Sequence, residues 1–248
     1  MRCAIMQPTY LPWLGWFDLM DQVDHFILLD DVQFSRRSWQ QRNRIRVKAG
    51  LQWLTVPVMH EPDGEPLLME ARLADPAIAR KHWATVRREY AGAAHAAALL
   101  PAFEAAWRPD APWTLLTELN VAHIETLRTL LRIRTPVSLA SAFAAGGTRG
   151  AHLAELCARV GARTYVSAPG SLAYLGEDRE AFTARGIAVT VHRYEHPTYA
   201  QRHPGFEPFA SALDAVLNLG PAAADVMREG RRAAQPLDEA LAAVAAAA

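Results

Sequence analysis

Short apolar runs alternate with helix-period segments along this chain, and their order predicts an α/β fold. Apolar runs followed by turn residues predict buried strands at residues 3–6 and 25–29, with a two-turn helix over 14–23 between them. Further strands are predicted at 136–140, 164–168 and 188–194, separated by helices over 152–160 and 178–184. Strands joined through helices pair in parallel. The pattern therefore predicts a mostly parallel central sheet flanked by helices.

Three other segments depart from this alternation. Residues 44–48 and 51–58 predict an antiparallel hairpin extension, with a third strand at 67–73 after the Asp63-Gly64 turn. Residues 75–132 predict a helical insert, with one helix starting near Pro76 and a second over 112–131. Residues 222–248 are rich in alanine and predict a C-terminal surface helix. We expect residues 1–248 to form a single α/β domain.

Composition narrows the class of protein. The 248 residues are 51% hydrophobic and 21% charged, which is enough for a large core, and the formal net charge is +0. A neutral chain has no strong field for nucleic acid, so we expect no nucleic-acid partner. No uncharged apolar run is long enough for a membrane span. Only two cysteines, Cys3 and Cys157, occur far apart, which favours a cytoplasmic location.

The segment QPTYLPWLGWFDLM, which starts at Gln7, is the strongest candidate for a binding site. It follows the first predicted strand, and ligands bind at strand ends in open α/β sheets. Pro8 and Pro12 restrict the backbone and stiffen the loop. We expect Gln7, Tyr10 and Trp13 to contact substrate. The alternative is that the aromatic side chains only fill the core, whereas a buried Gln7 amide would still need polar partners.

A second candidate is the basic segment DDVQFSRRSWQQRNRIRVK. No acid occurs from residue 32 to residue 60, and six cations fall between residues 35 and 48: Arg36, Arg37, Arg42, Arg44, Arg46 and Lys48. The planar guanidinium group suits phosphate or carboxylate. We expect substrate binding by Trp39, Arg42, Asn43 and Arg44. The alternative is that the cations form a solvated face of a strand.

Two adjacent aspartates end the second predicted strand. Neighbouring side chains of a strand point to opposite faces, so Asp30 and Asp31 are not expected to act as a carboxylate pair. We expect one to face the site and the other to cap a turn. Asp31 would share its face with Gln33, and both are predicted site residues.

The third candidate is the loop RYEHPTYAQRH, after the last predicted strand of the alternating region. It supplies His196, Tyr199 and Gln201, and Pro197 restricts its backbone. Histidine titrates near neutral pH, so His196 could act as a general base. The alternative is a structural or exposed histidine. The histidines show no ligand-like spacing apart from His192 and His196, and we predict no metal site and no resident cofactor.

Together these segments resemble the WbqC-like protein family. The resemblance rests on QPTYLPWLGWF, DHFILLDDVQF, WQQRNRI and WLTVPV, and on LCARVGARTYVSAPGSLAYL, GIAVTVHRYEHPTYAQ and FEPFASALDAVLNLG in the second half. It covers roughly residues 2–220, and Trp16 stands where the family usually has tyrosine. The first segment also weakly resembles adenylyl-transferring nucleotidyltransferases. Those carry His-x-Gly-His where this chain has Trp13-Leu14-Gly15-Trp16, so their adenylylation chemistry is not expected.

The resemblance implies a role in biosynthesis, because the family is associated with O-antigen gene sets and natural-product pathways. We expect a transferase that moves an acyl or aminoacyl group from a carrier-protein or CoA thioester to an amine. In this hypothesis His196 is the base, Gln7 and Asp31 orient the reacting groups, and the arginines hold a phosphate group. Expected partners are a small-molecule substrate and an acyl carrier protein. The alternatives are a non-catalytic binder of a carrier protein or nucleotide sugar, and a nucleotidyltransferase-like enzyme with altered chemistry.

Overall fold

A six-stranded sheet forms the centre of the computed structural model, which describes residues 1–60, 64–108 and 113–247. The strands of this sheet and of a separate hairpin are, in chain order, β1 (Arg2–Met6), β2 (His25–Leu28), β3 (Arg42–Val47), β4 (Gly50–Thr55), β5 (Val137–Leu139), β6 (Thr164–Ser167), β7 (Ala188–Tyr194) and β8 (Arg231–Pro236). The sheet has the order β5-β2-β1-β6-β7-β8. All its neighbouring strands pair in parallel except β7 and β8, which are antiparallel. The prediction of a mostly parallel central sheet is confirmed.

Helices flank this sheet. They are α1 (Leu14–Asp21), α2 (Ile78–Tyr90), α3 (Ala96–Trp107), α4 (Leu116–Leu130), α5 (Arg149–Arg159), α6 (Leu172–Leu175), α7 (Arg179–Thr183), α8 (Ala212–Leu219), α9 (Ala223–Glu229) and α10 (Leu237–Ala247). The strands alternate their side chains between two cores. Ala4, Phe26 and Val166 face the core that includes α1, α4 and α8. Ile5, Ile27 and Tyr165 face the core that includes α5, α7 and α10.

The predicted hairpin is confirmed as a separate sheet of β3 and β4. Its two-residue turn, Lys48-Ala49, leads to Gly50, whose φ of 121° is one that L side chains rarely adopt. The third strand predicted at 67–73 is wrong. Leu68–Glu70 forms a 3-10 turn, because the backbone N–H groups of Leu68 and Met69 donate to the loop after β2 rather than to β4.

The helical insert is confirmed over the described part of residues 75–132, but it contains three helices rather than two. α3 was not predicted as a helix of its own. Its sequence AAALLPAFEAAW is apolar on most sides and contains Pro101, so it lacks a clear amphipathic period. Pro112, where the second predicted helix begins, lies outside the described residues, and α4 begins at Leu116. Among the described residues, no helix combines the length and apolar character needed to cross a bilayer.

The C-terminal prediction is wrong in one respect, because residues 222–248 do not form one helix. The described part of this segment contains α9, β8 and α10. β8 has the sequence RRAAQP, which lacks the β-branched residues that usually mark a strand. Arg231 at its start donates to Asp18 (2.9 Å) and to Asp21 (2.6 Å), both on α1. These acids and the pairing with β7 place the strand at the edge of the sheet.

Candidate functional site

The order of the central sheet reverses between β1 and β6. The chain passes from β1 to β2 and β5 on one side, then returns to β6 on the other side of β1. Ligand-binding crevices form at the carboxyl ends of strands at such a reversal. Met6 and Gln7 lie at this end of β1, and adjacent residues of a strand point to opposite faces. Each of these residues lines one of two separate clefts.

The first cleft, called the aromatic cleft below, has a volume of about 300 Å³. Its lining residues are Met6, Thr9, Trp13, Trp16, Trp39, Asn43, Arg44 and Phe209. Four are aromatic and offer flat apolar faces. The indole nitrogen of Trp16 is buried and has no hydrogen-bond partner among the described residues. The cleft therefore suits a small ligand with an apolar body and an anionic group for Arg44.

Side-chain amides hold the loop between β1 and α1 in place. The Asn120 amide donates to the carbonyl oxygens of Pro8 and Gln40, both at 2.8 Å. The Asn43 amide donates to the carbonyl oxygen of Leu11 at 2.8 Å. Leu11 has a φ of 46°, which is unfavourable for an L residue. These hydrogen bonds hold the strained backbone and position the lining residues on either side of it.

Trp13 depends on the glycine two residues after it. Its indole folds back over the start of α1, so that a Cβ atom on Gly15 would lie 2.3 Å from the Trp13 ring. No real side chain tolerates that distance. Gly15 therefore allows Trp13 to form one wall of the aromatic cleft.

Two arginines of β3 lie against two tryptophans beside the aromatic cleft. The Arg44 guanidinium carbon lies 5.8 Å from the ring centre of Trp39 and 5.4 Å from that of Trp53. The Arg42 guanidinium carbon lies 4.5 Å from the ring centre of Trp53. Neither arginine forms an ion pair with an acid in the part of the chain that the structure describes. Their donors are therefore available to a phosphate or carboxylate group.

The other four cations of the basic segment lie elsewhere. Arg36 pairs with Glu65. Arg46 is buried and donates to three backbone carbonyl groups, so the alternative of a solvated strand face is wrong for this residue. Arg37 and Lys48 are exposed. Of the six cations, Arg44 is the one that lines the aromatic cleft.

His196 lies next to the aromatic cleft, behind two of its walls. Its ring stacks on that of Trp13 with centres 6.0 Å apart and lies 5.2 Å from the Phe209 ring. Nδ1 donates to the Pro197 carbonyl oxygen at 2.8 Å, while Nε2 is buried without a partner among the described residues. Burial lowers the pKa of His196, and the Pro197 carbonyl group partly opposes this effect. A neutral ring with a free Nε2 lone pair is the form that accepts a proton.

The second cleft, called the Asp31–His152 cleft below, lies on the other face of β1. Its volume is about 290 Å³, and its lining residues are Gln7, Leu29, Val32, Arg149, His152, Leu153 and Tyr174. The Nε2 atom of His152 lies 3.2 Å from the Asp31 carboxylate, and Nδ1 lies 3.2 Å from the Gly146 carbonyl oxygen. Both ring nitrogens of His152 therefore face hydrogen-bond acceptors.

Sequence reasoning did not identify His152 as a site residue. It lies 121 residues from Asp31 in the sequence, within the helix predicted over 152–160. The one available signal was a polar residue in the first turn of a helix that follows a strand of the parallel sheet. The two aspartates have different partners, as their opposite directions on the strand predict, and the role of Asp31 in a site stays a prediction. Asp30 accepts from the backbone N–H (2.9 Å) and the hydroxyl group (2.7 Å) of Ser141. These two hydrogen bonds join the end of β2 to the end of β5.

The structure places Tyr10 in the core and away from both clefts, which overturns its predicted contact with substrate. The residue is fully buried. Its hydroxyl group lies 2.8 Å from Nδ1 of His82 and accepts from the Trp107 indole at 3.2 Å. Burial raises the pKa of Tyr10 above its ordinary value, so the hydroxyl stays neutral. Its backbone N–H group donates to the Trp39 carbonyl oxygen, so Tyr10 supports the cleft from behind.

Tyr199, Gln201 and Gln33 also line neither cleft. Tyr199 and Gln201 donate to the buried carboxylate of Asp214 at 2.8 and 2.9 Å, so their polar groups are already used inside the protein. Tyr90 donates to the same carboxylate at 3.0 Å. Gln33 is exposed. The structure thus gives Tyr199 and Gln201 a role in fixing the loop after His196 rather than in contacting a ligand.

Comparisons with known proteins agree over most of the chain. The model of the WbqC-like protein family matches residues 7–226, which include every residue lining either cleft except Met6. A protein of Mycobacterium tuberculosis, named Uncharacterized protein Rv1507c, is 34% identical over 232 residues. The matched region is 93% of this chain and 99% of that relative. No solved structure matches the chain.

Proposed function

The chain belongs to the WbqC-like protein family, and from this premise we propose that it is a biosynthetic transferase. It moves an acyl or aminoacyl group from a thioester, on CoA or on a carrier protein, to the amine of a sugar or natural-product intermediate. The observation that carries the proposal is the position of Arg44. This cation lines an aromatic cleft at the reversal of the sheet and has no acidic partner among the described residues.

The chemical step needs a base and a place for the departing thiol. The amine nitrogen attacks the thioester carbon, a C–N bond forms, and the C–S bond breaks. Nε2 of His196 takes the proton that the amine loses and passes it to the departing thiolate, so the histidine ends neutral. Its lowered pKa favours the neutral ring, and the Nδ1–H bond to Pro197 fixes the tautomer whose Nε2 can accept the proton. Phe209, which is 46% exposed and strained at φ 63°, is the wall that turns aside to admit the amine.

In this proposal Gln7 and Asp31 orient the second reactant from the opposite face of β1. The side-chain oxygen Oε1 of Gln7 accepts from the side-chain amide of Gln40 at 2.9 Å, so the side-chain nitrogen of Gln7 remains to donate to a ligand. Asp31 acts through His152, which lines the cleft there. The two free cysteines are both buried in the same core, which fits the reducing cytoplasm expected for the protein.

The test is turnover by the purified protein, supplied with acyl or aminoacyl thioesters of CoA and pantetheine together with amino-sugar acceptors. Mass spectrometry detects the amide product. We expect His196→Gln to lower the rate constant at least a hundredfold, as loss of a general base does, with ligand affinity changed less than about threefold. His60→Gln, at an exposed histidine, is the matched control. A His196→Gln variant with an unchanged rate would exclude this base.

One observation favours a second candidate function, that of a binding protein without catalysis. Nε2 of His196 is buried, and the rings of Trp13 and Phe209 lie 6.0 and 5.2 Å from the His196 ring, between it and the aromatic cleft. A protein that only delivers a nucleotide sugar or a charged carrier protein would need the aromatic cleft and the arginines beside it but no exposed base. This candidate predicts ligand binding that Arg44→Ala weakens, with no product formed from any thioester in the turnover assay.

A further inference from the structure

A cation-rich aromatic surface continues outward from the aromatic cleft. It consists of Trp39, Arg42, Arg44 and Trp53 and is called the tryptophan–arginine platform below. We infer that this platform binds the nucleoside diphosphate part of a substrate whose reacting end occupies the aromatic cleft. The inference rests on the proposed function and deepens it by naming the chemical class of the substrate.

The two tryptophans provide a surface for a nucleobase. Their ring centres lie 5.4 Å apart with 37° between the planes. Trp39 is 49% exposed and Trp53 is 43% exposed, whereas Trp16, Trp83 and Trp107 are buried. Exposed aromatic side chains next to cations are where bases stack in proteins, because every base has a flat face. An adjacent pair of half-exposed indoles is a costly surface without such a partner.

The two arginines provide the complement for the phosphates. Arg42 and Arg44 are two residues apart on β3, so their side chains leave the same face of the hairpin. On β4 the residue opposite Arg44 is Trp53, which brings both guanidinium groups against one indole. Stacking on a ring orients a guanidinium and leaves its edge free to donate. Adjacent phosphate groups would therefore meet two fixed donors beside the stacked base.

The aromatic cleft is too small for the whole ligand, so it fixes where one end of the ligand lies. About 300 Å³ is at the lower limit for a small-molecule pocket, so it holds one part of a nucleotide-linked molecule and not the whole. Trp39 and Arg44 belong to both the cleft and the platform. A continuous ligand would place its reacting end by Trp13, its phosphates by Arg44 and Arg42, and its base on Trp53. A CoA thioester and a nucleotide sugar share this chemistry.

Isothermal titration calorimetry with ADP, UDP and inorganic pyrophosphate tests the platform. We expect one of the nucleoside diphosphates to bind at least tenfold more tightly than pyrophosphate. Trp53→Ala should weaken that nucleotide roughly ten- to a hundredfold and leave pyrophosphate unchanged, while Trp53→Phe keeps most of the affinity. Arg42→Gln should weaken both ligands. Lys48→Gln, at an exposed cation in the turn of the same hairpin, is the control and should change neither by more than about twofold.

The outcomes separate this inference from the proposed function. Equal affinity for pyrophosphate and nucleotides, no binding of any nucleotide, or full affinity in Trp53→Ala would each overturn the platform. In each case, turnover of a pantetheine thioester would still support the transferase. Nucleotide binding that depends on Trp53, without turnover of any thioester, would support the platform and refute the transferase. Competition by CoA or by a UDP-sugar then shows whether the nucleotide belongs to the donor or to the acceptor.

Discussion

Two buried histidines make the support of the aromatic cleft sensitive to acid. His82 on α2 lies 2.8 Å from the Tyr10 hydroxyl group. His123 on α4 meets the Tyr10 ring edge-on, with centres 5.5 Å apart. Burial lowers the pKa of His82 from 6.5 to about 4. Burial, reinforced by the nearby His82, lowers that of His123 from 6.5 to about 3. Protonation of either ring would place a charge inside the core behind the loop that carries Trp13.

The sign and size of the effect follow from these values. Both folded-state pKa values are depressed, so the unfolded chain binds more protons below pH 6.5. The stability due to the neutral rings is complete above pH 6.5 and is lost as the pH falls toward 4 for His82 and 3 for His123. Lowering the pH from 6.5 to about 5 is a change of roughly 1.5 units. Each unit costs about 1.36 kcal/mol of folding free energy per histidine, so each histidine costs about 2 kcal/mol at about pH 5. The two together cost about 4 kcal/mol, a large share of a typical folding free energy.

Urea unfolding near pH 7 and near pH 5 measures this loss. We compare the wild type with His82→Gln and His123→Gln, and each variant should remove about half of the pH-dependent loss whatever its stability at neutral pH. His60→Gln, at an exposed histidine, is the control and should keep the full loss. The reasoning would be refuted by a wild-type loss below about 1 kcal/mol. Full retention of the loss in both buried-histidine variants would refute it equally.

Four further substitutions test the cleft and its surroundings. Asp214→Asn should lower the free energy of unfolding, measured in urea, by about 3 kcal/mol or more, because one amide oxygen cannot accept from all the donors around the buried carboxylate. Tyr199→Phe removes only one of these donors and should cost about 1–2 kcal/mol. Equal costs would contradict this account. Gly15→Ala should weaken the best ligand at least tenfold by calorimetry, because the new Cβ would lie 2.3 Å from the Trp13 ring; unchanged affinity would show that the ring adapts. Phe209→Ala should speed carbethoxylation of the histidine behind it, measured by peptide mapping, and an unchanged rate would show that Phe209 does not screen it.

The sheet and the hairpin could be predicted because local pattern and tertiary structure agree there. The apolar runs predicted at 3–6 and 25–29 form β1 and β2, which are neighbours in one parallel pair. The hairpin joins alternating segments through Lys48-Ala49 and Gly50, at the turn that the sequence marks with Ala49-Gly50. In both cases the residues that define an element lie within a few positions of one another. Periodicity is a sufficient signal for such elements.

The elements that were missed are those that long-range contacts create. β8 has an Arg-Arg-Ala-Ala sequence without strand propensity, and it forms where α1 supplies acids for Arg231 and β7 supplies an open edge. The same reason explains the site residues. The contact between Asp31 and His152 joins residues that no local pattern links. Tyr10 looked like a cleft residue because its neighbours in the loop are cleft residues, but its own side chain turns to the core.

The end of β1 explains why one short segment supplies residues to both clefts. β1 lies beside the reversal of the sheet, so the loop that follows it crosses the carboxyl edge between the two helical layers. Gln7 lines the Asp31–His152 cleft, and its side-chain oxygen accepts from the side-chain amide of Gln40. Gln40 directly follows Trp39, a wall of the aromatic cleft. The side chains of Gln7 and Gln40 therefore link the linings of the two clefts through one hydrogen bond at the end of β1.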